Sequence, residues 1–269
     1  MFEEPYRWVE AVGNRRQYLD DQFQQGSPVV ALSYADGILL LTVSRGTPKL
    51  YEIYDRIGLG GMGHPADLEK LRFNLLEMAH VEGFNRSPSD VTGSRMVKYG
   101  LAPVIKQAFE EVYKAPFIVK ILLAELGTKP ERDAFLTINY DGTFEETKGC
   151  AAIASTPAIQ SGVIGSLRQS VELASATLAP AVESALRAWA LGSLAQSKDK
   201  EEQEDHKDSS VPSSRTSPDA AAIETHLRET LADKTIECAV LERNAPGSSK
   251  YRSIKPDELK HLLPNFLNT

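Results

Sequence analysis

The first candidate for chemistry is the glycine-rich stretch GLGGMG at residues 58–63, which satisfies the pattern G-x-G-x-x-G. In dinucleotide-binding folds these glycines follow a parallel strand and let the backbone approach a pyrophosphate at the start of a helix. Here the stretch follows the third strand-like run of a meander, and the acidic residue near the required offset, Glu82, ends a helical pattern. Glycines within a strand also permit close backbone packing. Two interpretations of this stretch remain: glycines that allow close packing of a strand, or the phosphate-binding turn of a nucleotide-binding oxidoreductase. The second interpretation predicts a cofactor retained in the purified protein.

The sequence contains no other complete catalytic or metal-binding motif. It has no G-x-S-x-G, no H-E-x-x-H and no P-loop lysine after the glycines. The histidines stand singly, without the paired spacing of zinc ligands: His64, His80, His206, His226 and His261. Cys150 and Cys238 lie far apart in apolar runs, so we expect buried free thiols. We expect neither a metal nor a cofactor.

Composition narrows the classes of protein. The chain has 269 residues, 42% of them hydrophobic, which allows one large core or two small ones. Its net charge of -7 argues against a nucleic-acid partner, because phosphate binding requires a basic face. The N-terminus lacks the pattern of a secretion signal, and no apolar run approaches the roughly 20 residues that span a bilayer. We expect a cytoplasmic protein that does not enter a membrane.

The stretch from Ser27 to Gly63 organises the predicted fold. The apolar runs Val29 to Tyr34 and Ile38 to Val43 flank Asp36-Gly37, a pair that favours a type I′ hairpin turn with positive φ at both central residues. A third run, Leu50 to Ile57, leads through the glycines into an amphipathic helix. The sequence thus predicts a strand meander that feeds a helix.

A helix is predicted before this meander, from Pro5 to Gln25. Its thin apolar stripe consists of Trp8, Val12, Leu19 and Phe23, whose spacing returns them to roughly one face. Gly26-Ser27-Pro28 ends it. The segment reads as a surface helix packed on the domain.

Further strands and helices follow in an order that indicates antiparallel sheets covered by helices. A first helix, Pro65 to His80, carries an inward stripe of Leu68, Leu71, Leu75 and Ala79 and exits at Gly83; a second begins at Ser89 or Asp90 and should kink at Pro103. The remaining predicted elements are strands Phe117 to Glu125, Ala134 to Tyr140 and Phe144 to Ala154, helices Ala158 to Ser175 and Thr177 to Leu194, a short helix, strands Thr235 to Leu241 and Tyr251 to Ile254, and a helix capped near Asp257.

Composition changes abruptly at Gln196. Residues 196–218 mix charges with Ser and Pro and contain almost no apolar side chains, so they are predicted to be a disordered acidic insertion. The predicted organisation is an N-terminal segment and helix at residues 1–25, an α+β core at 27–195, the insertion at 196–219, and strands and a helix at 220–269 that complete the same domain.

Five segments of the sequence together resemble the bacterial, actinobacterial-type proteasome α subunits. They are SPVVALSYADGILLL from Ser27, LYEIYDRIG after Lys49, DVTG from Asp90, INYDGTF from Ile138, and IECAVLERNAPGSSKYRSIKPDELKHLL from Ile236. The resemblance implies the four-layer αββα sandwich of the N-terminal nucleophile (Ntn) hydrolases. It also implies a non-catalytic subunit that forms a homoheptameric ring, templates and stacks on β rings carrying the threonine protease sites, and admits unfolded proteins.

The same resemblance assigns roles to particular residues. It places an activator-docking pocket at Lys49 and Gly63, where the C-terminal tail of a hexameric AAA+ ATPase or another activator would bind. Considered alone, a lysine that opens a strand is usually a solvated side chain. The resemblance further assigns a gate at the axial pore to the first eight residues: Met1, Phe2, Glu3, Glu4, Pro5, Tyr6, Arg7 and Trp8.

One alternative makes the chain an enzyme. Aligned with catalytic proteasome subunits, Ser27 falls on the nucleophile position after Gly26, and Lys49 falls on the catalytic lysine. A self-processing amidohydrolase would lose residues 1–26. Three features oppose this hypothesis: Pro28 follows the nucleophile position, Val43 replaces an expected acidic residue, and residues 1–25 resemble the helix that α subunits retain. We therefore interpret Ser27 as a vestigial nucleophile position. A lone interaction module is a further alternative, which predicts no ring-sized particle.

Overall fold

In the computed structural model, residues 5–111, 113–169, 175–205 and 220–267 are described. Within them two five-stranded antiparallel sheets lie face to face. The first sheet has the order β10-β9-β2-β1-β8 and the second the order β3-β4-β5-β6-β7. The strands are β1 Val29–Tyr34, β2 Gly37–Ser44, β3 Leu50–Tyr54, β4 Ile57–Gly63, β5 Val119–Glu125, β6 Ala134–Ile138, β7 Phe144–Thr147, β8 Cys150–Ile153, β9 Thr235–Glu242 and β10 Tyr251–Ser253.

Helices cover the outer face of each sheet, except the first helix, which packs against the core between the sheets. They are α1 Pro5–Phe23, α2 Pro65–Asn85, α3 Gly93–Arg95, α4 Ala102–Glu110, α5 Pro157–Gln169, α6 Leu178–Asp205, α7 Ala220–Leu231 and α8 Pro256–Leu262. Helices α2 to α4 pack on the second sheet, whereas α5 to α8 pack on the first. Together with the core between the sheets, this arrangement confirms the predicted α+β, four-layer αββα sandwich.

Most strands of both sheets are buried on both faces, which explains their continuous apolar runs; the edge strands β7 and β10 are exposed or half-buried. In β1, Val29 and Ala31 point into the space between the sheets, whereas Val30 and Leu32 point to the helices outside. Leu19 and Phe23 of α1 also belong to the core between the sheets, and both are fully buried. The C-terminal half of α1 is therefore an integral part of the sandwich.

The first hairpin is confirmed, but its predicted turn type is wrong. Tyr34 pairs with Gly37, so the two-residue turn is Ala35-Asp36, and none of these residues has a positive φ. Distant segments hold the turn instead: the Ala35 amide donates to the Ala176 carbonyl (3.0 Å), and the Arg243 amide donates to the Asp36 carbonyl (2.8 Å). Glycine is needed at position 37 because a Cβ there would lie 1.8 Å from the Leu241 carbonyl oxygen.

The run from Leu50 to Ile57 is two strands, not one. The chain turns at Asp55-Arg56 and returns as β4, which pairs with β3 on one side and β5 on the other. Residues 58–63 therefore form a buried internal strand and not a loop.

The helices on the second sheet depart from their predicted ends. The predicted stripe of α2 is buried, but the helix continues to Asn85 through Gly83, where a Cβ would lie 2.2 Å from the Tyr54 hydroxyl. Helix α3 is capped by Thr92 and not by Ser89 or Asp90. The irregularity predicted at Pro103 takes the form of a π-helical segment, Met96–Leu101, in which the Ala102 amide donates to the Val97 carbonyl.

The predicted strand from Phe144 to Ala154 is also divided. Gly149 adopts a φ of 78°, and the chain leaves the second sheet as β7 and enters the first as β8. This crossing links the two sheets directly.

Helix α6 continues to Asp205, so the disorder predicted to begin at Gln196 is wrong for the first part of that segment. Gln196 itself is buried, because it packs on the end of α1. The rest of the predicted insertion, residues 206–219, lies outside the described residues, as do Met1 to Glu4 of the predicted gate.

Candidate functional site

The junction between α1 and β1 contains the predicted nucleophile position. Helix α1 ends at Phe23 and β1 begins at Val29, and the side-chain amide of Gln196 on α6 lies against the connection. Its Nε2 donates to the carbonyls of Phe23 (3.2 Å), Gln24 (2.7 Å) and Gly26 (2.8 Å). The carbonyl before Ser27, which self-processing would have to attack, is thus held by a buried amide.

The hydroxyl of Ser27 is engaged in structural hydrogen bonds. Its Oγ accepts from the indole Nε1 of Trp189 (3.0 Å) and lies 3.4 Å from the hydroxyl of Thr42. No described carboxylate, imidazole or amine hydrogen-bonds to this Oγ, and Val43 points away into the outer core. An N-terminal nucleophile is activated by its own free α-amine, whereas the nitrogen of Ser27 is a peptide amide in the uncut chain.

Contacts on α1 tie the helix to the rest of the fold. The guanidinium of Arg15 donates to the carbonyls of Ala108 (3.1 Å), Phe109 (2.9 Å) and Glu111 (3.0 Å) at the end of α4. A cation at a helix C-terminus also complements the helix dipole. These contacts, with the buried Leu19 and Phe23, make residues 5–26 a structural element and not a detachable leader.

Lys49 lies immediately before β3, at the edge of the second sheet, beside Glu237 of β9. Its backbone amide donates to both carboxylate oxygens of Glu237 (3.0 Å each), and the amide of Leu50 donates to Oε1 (2.8 Å). Burial lowers the pKa of the Lys49 ammonium, while Glu237 acts to raise it and Lys234 to lower it. Burial likewise raises the pKa of Glu237, against the two amide hydrogen bonds. Among the described residues the Lys49 ammonium has no hydrogen-bond or ion-pair partner, so it can accept one.

Gly63 and Lys49 are brought to the same end of the β3–β4 pair. The Gly61 amide donates to the Lys49 carbonyl (2.9 Å), and Gly63 follows two residues later as the last residue of β4. Gly63 has a φ of 131°, and a Cβ there would lie 2.0 Å from the Ile118 carbonyl oxygen. Glycine is therefore required at this position by the fold itself, whatever else it contacts.

The glycines at positions 58–63 serve packing. A Cβ on Gly60 would lie 2.6 Å from Val29, and a Cβ on Gly61 would lie 2.3 Å from Leu68. Strand β4 is thus packed closely between β1 on one face and α2 on the other. Its backbone forms ladder hydrogen bonds with β3 and β5. This geometry offers no phosphate-binding loop, so the dinucleotide hypothesis is wrong.

Sequence reasoning missed three buried polar residues that shape these sites: Lys120, Asp133 and Gln196. Lys120 interrupts the apolar run FIVKILLAE, which is the one local signal that could have drawn attention to it. Gln196 falls in a polar segment, and nothing local marks it as buried. Asp133 accepts hydrogen bonds from residues far away in sequence.

The described residues contain no cluster of three or more side chains suited to a metal ion, and none of their helices is both long and apolar enough to cross a membrane. Cys150 and Cys238 are buried free thiols, as predicted. Burial raises the pKa of Cys238 to about 12, which keeps it protonated and unreactive.

Comparison with known proteins agrees with the fold. A family model described as proteasome subunit matches residues 23–189, more than half of the chain. The chain belongs to the proteasome subunit family.

Within that family, the similarity is to actinobacterial α subunits, which confirms the resemblance. The proteasome subunit alpha of Streptomyces coelicolor is 28% identical over 260 residues, which cover 94% of this chain and 87% of the relative. That of Streptomyces avermitilis is 27% identical over the same shares. That of Actinosynnema mirum is 36% identical over 135 residues, which cover 49% of this chain and 51% of the relative.

Proposed function

We propose that this chain is a non-catalytic α-ring subunit of a 20S proteasome core particle. In this role seven copies form a ring that templates the proteolytic β rings, narrows the entry pore and binds an activator such as a hexameric AAA+ ATPase. Unfolded proteins pass through the ring to threonine active sites on the β subunits. The family match and the names of the relatives support the α assignment.

The observation that carries the non-catalytic role is the integration of residues 5–26 into the fold. Cleavage before Ser27 would remove Leu19 and Phe23 from the core between the sheets. It would also break the peptide bond between Gly26, whose carbonyl accepts from Gln196, and Ser27. The carbonyls at the end of α4 would lose the hydrogen bonds that Arg15 donates to them. Such losses oppose a mature enzyme that begins at Ser27.

The intact mass of the protein, co-expressed with its β partner and purified on a sizing column, tests this role. We expect a full-length chain, lacking at most the initiator methionine, in a particle of several hundred kilodaltons. Ser27→Ala should give the same chain length, because Ser27 is not a nucleophile here. A wild-type chain that starts at Ser27, together with an unprocessed Ser27→Ala chain, would establish the self-processing amidohydrolase instead.

The docking role rests on the unpartnered ammonium of Lys49 at the edge of the second sheet. A terminal carboxylate satisfies a partly buried ammonium, and a flexible lysine suits this single charged contact. Gly63 lies at the same end of the strand pair and offers backbone there. The gate is assigned to residues 1–8; of these Trp8 lies on α1 with 51% of its surface exposed.

Replacing Lys49 with alanine should weaken binding of an activator's C-terminal tail peptide to the assembled particle by about 10-fold to 100-fold. A hydrogen bond to a charged group contributes about 1.5–3 kcal/mol, and about 1.4 kcal/mol is tenfold in affinity. Fluorescence anisotropy of a labelled tail peptide measures this. Lys106→Ala removes an exposed lysine on α4 and is the matched control. Equal affinities for the wild type and Lys49→Ala would exclude Lys49 from the docking pocket.

A further inference from the structure

A cavity of about 300 Å³ opens at the end of the sandwich where β6, β7, β8 and the start of α5 meet. One water molecule occupies about 30 Å³ of liquid volume, so the space matches a molecule of a few heavy atoms at the small end of ligand pockets. Polar side chains dominate its lining: Lys120, Thr137, Asn139, Thr143, Glu145 and Gln160. Neither Lys49 nor Gly63 lines this cavity.

Lys120 supplies the only positive charge of this lining and is only 5% exposed. Its ammonium donates to the carbonyls of Ala154 (2.9 Å) and Ser155 (2.7 Å) and lies 4.8 Å from the ring centre of Phe23. Three N–H groups belong to an ammonium, and among the described residues only these two carbonyls accept from it. No described carboxylate forms an ion pair with it.

A buried charge without a counter-ion is unfavourable, and the two carbonyls and the rings of Phe23 and Tyr140 compensate the lost hydration of this ammonium only in part. Burial lowers the pKa of Lys120 to about 8, and the more distant carboxylates of Asp20 on α1 and Asp141 after β6 only partly oppose this. The ammonium is therefore present at neutral pH and lacks an anionic partner. An anion that enters the cavity would provide one.

We propose that this cavity binds a small organic carboxylate through the ammonium of Lys120. Hydroxyl and amide groups of Thr137, Asn139 and Gln160 can donate to the second carboxylate oxygen. The cavity wall also includes Pro157, the first residue of α5, where the helix dipole favours negative charge. The single ammonium carries one positive charge, which matches a monoanion.

The remaining walls define the rest of the ligand. Ile153 and Phe144 border the cavity and suit a short aliphatic group. Glu145 stands exposed at the rim, where water screens its repulsion. A short-chain acid and the C-terminal carboxylate of a short peptide share this chemistry.

Isothermal titration of the full-length chain with sodium butyrate, at fixed ionic strength and pH 7, tests the site. We expect saturable 1:1 binding, with butyramide at least tenfold weaker because it lacks the charge. Lys120→Met should weaken butyrate at least tenfold, whereas the surface variant Lys106→Met should match the wild type. Gln160→Trp keeps Lys120 but fills part of the cavity, so we expect it to weaken butyrate binding as well. This variant tests the site even if Lys120→Met does not fold.

Two further measurements test the protonation state of Lys120 and the class of ligand. Affinity for butyrate should fall as the pH rises through about 8, because the neutral amine no longer attracts an anion. Tighter binding of N-acetyl-alanyl-valine than of butyrate assigns the site to peptide C-termini, and the reverse order assigns it to free short-chain acids. Absence of saturable butyrate binding, equal affinity for butyramide, or wild-type affinity in both Lys120→Met and Gln160→Trp would overturn the proposal.

Discussion

Replacing Asp133 with alanine is expected to lower the free energy of unfolding by about 3–5 kcal/mol, the usual cost of breaking a buried ion pair on one side. Asp133 is fully buried just before β6, and its carboxylate accepts from Nη1 (3.1 Å) and Nη2 (3.0 Å) of Arg243. It also accepts from the hydroxyl of Ser33 (3.1 Å) and the amide of Gly127 (2.9 Å).

Three of these four hydrogen bonds, those from Ser33 and Arg243, join the two sheets. Ser33 and Arg243 belong to β1 and to the end of β9 in the first sheet, whereas Gly127 and Asp133 border β5 and β6 in the second. Alanine would leave the Arg243 guanidinium buried against the Gly127 carbonyl with no counter-charge. The loss is therefore larger than the net value of the pair itself.

Urea unfolding followed by circular dichroism measures the effect. Glu131→Ala, at an exposed position two residues away, should change the stability by no more than about 0.5 kcal/mol. The double variant Asp133→Ala/Arg243→Ala should be less destabilised than the sum of the single variants, because it leaves no unpaired charge. Additive effects, or a loss in Asp133→Ala below about 1 kcal/mol, would show that the pair does not clamp the sheets.

Replacing Phe23 with alanine is expected to cost about 3–5 kcal/mol, the range for buried aromatic residues. Phe23 is fully buried, its ring stacks on Tyr140 with centroids 5.8 Å apart, and the Lys120 ammonium lies over the ring, 4.8 Å from its centroid. Tyr140 in turn donates a hydrogen bond to Asp20 of α1 (2.9 Å). The variant thus removes the anchor that fixes α1 to the sandwich.

The other end of the same helix provides the control. Trp8 is 51% exposed, so Trp8→Ala should change the stability by no more than about 0.5 kcal/mol. Limited proteolysis should release α1 from Phe23→Ala much faster than from Trp8→Ala or the wild type. Equal protection of α1 in the two variants would mean that the helix is held without Phe23.

Anchoring of α1 matters for the proposed gate. Residues 5–8 of the proposed gate are the first residues of α1, so the position of that helix sets where they lie. Phe23, Gln196 and Arg15 fix the helix from three sides, through the core, through α6 and through the end of α4. A variant that loosens α1 should consequently also alter the proposed control of entry.

Local patterns predicted most elements, because burial on both faces leaves strands as short continuous apolar runs and burial on one face leaves helices with a stripe. The strand Val29–Tyr34 and the stripe of α2 were found in this way. The errors have tertiary causes. Gly83 does not end helix α2; it allows the Tyr54 hydroxyl to approach the helix. The turn at Ala35-Asp36 is held by backbone hydrogen bonds to Ala176 and Arg243.

Among the residues of the candidate sites, some were predicted from the sequence and others were found only in the structure. Lys49, Gly63 and Ser27 were located from the resemblance, since their phrases lie close together in sequence. The amide of Gln196 on the Gly26 carbonyl, 170 residues away, follows from no local pattern. Neither does the burial of the Lys120 ammonium against the carbonyls of Ala154 and Ser155.

By itself the sequence determined the type of most elements and the family, because each depends on composition or on neighbours a few residues apart. Only the tertiary structure decided which sheet receives β7 and β8, how the Ser27 hydroxyl is held, and where the charges of Asp133 and Lys120 are buried. Several of the contacts responsible join residues 100 positions or more apart along the chain, such as Ser33 with Asp133 and Ser27 with Trp189. Contacts at that separation exist only once the two sheets have packed together.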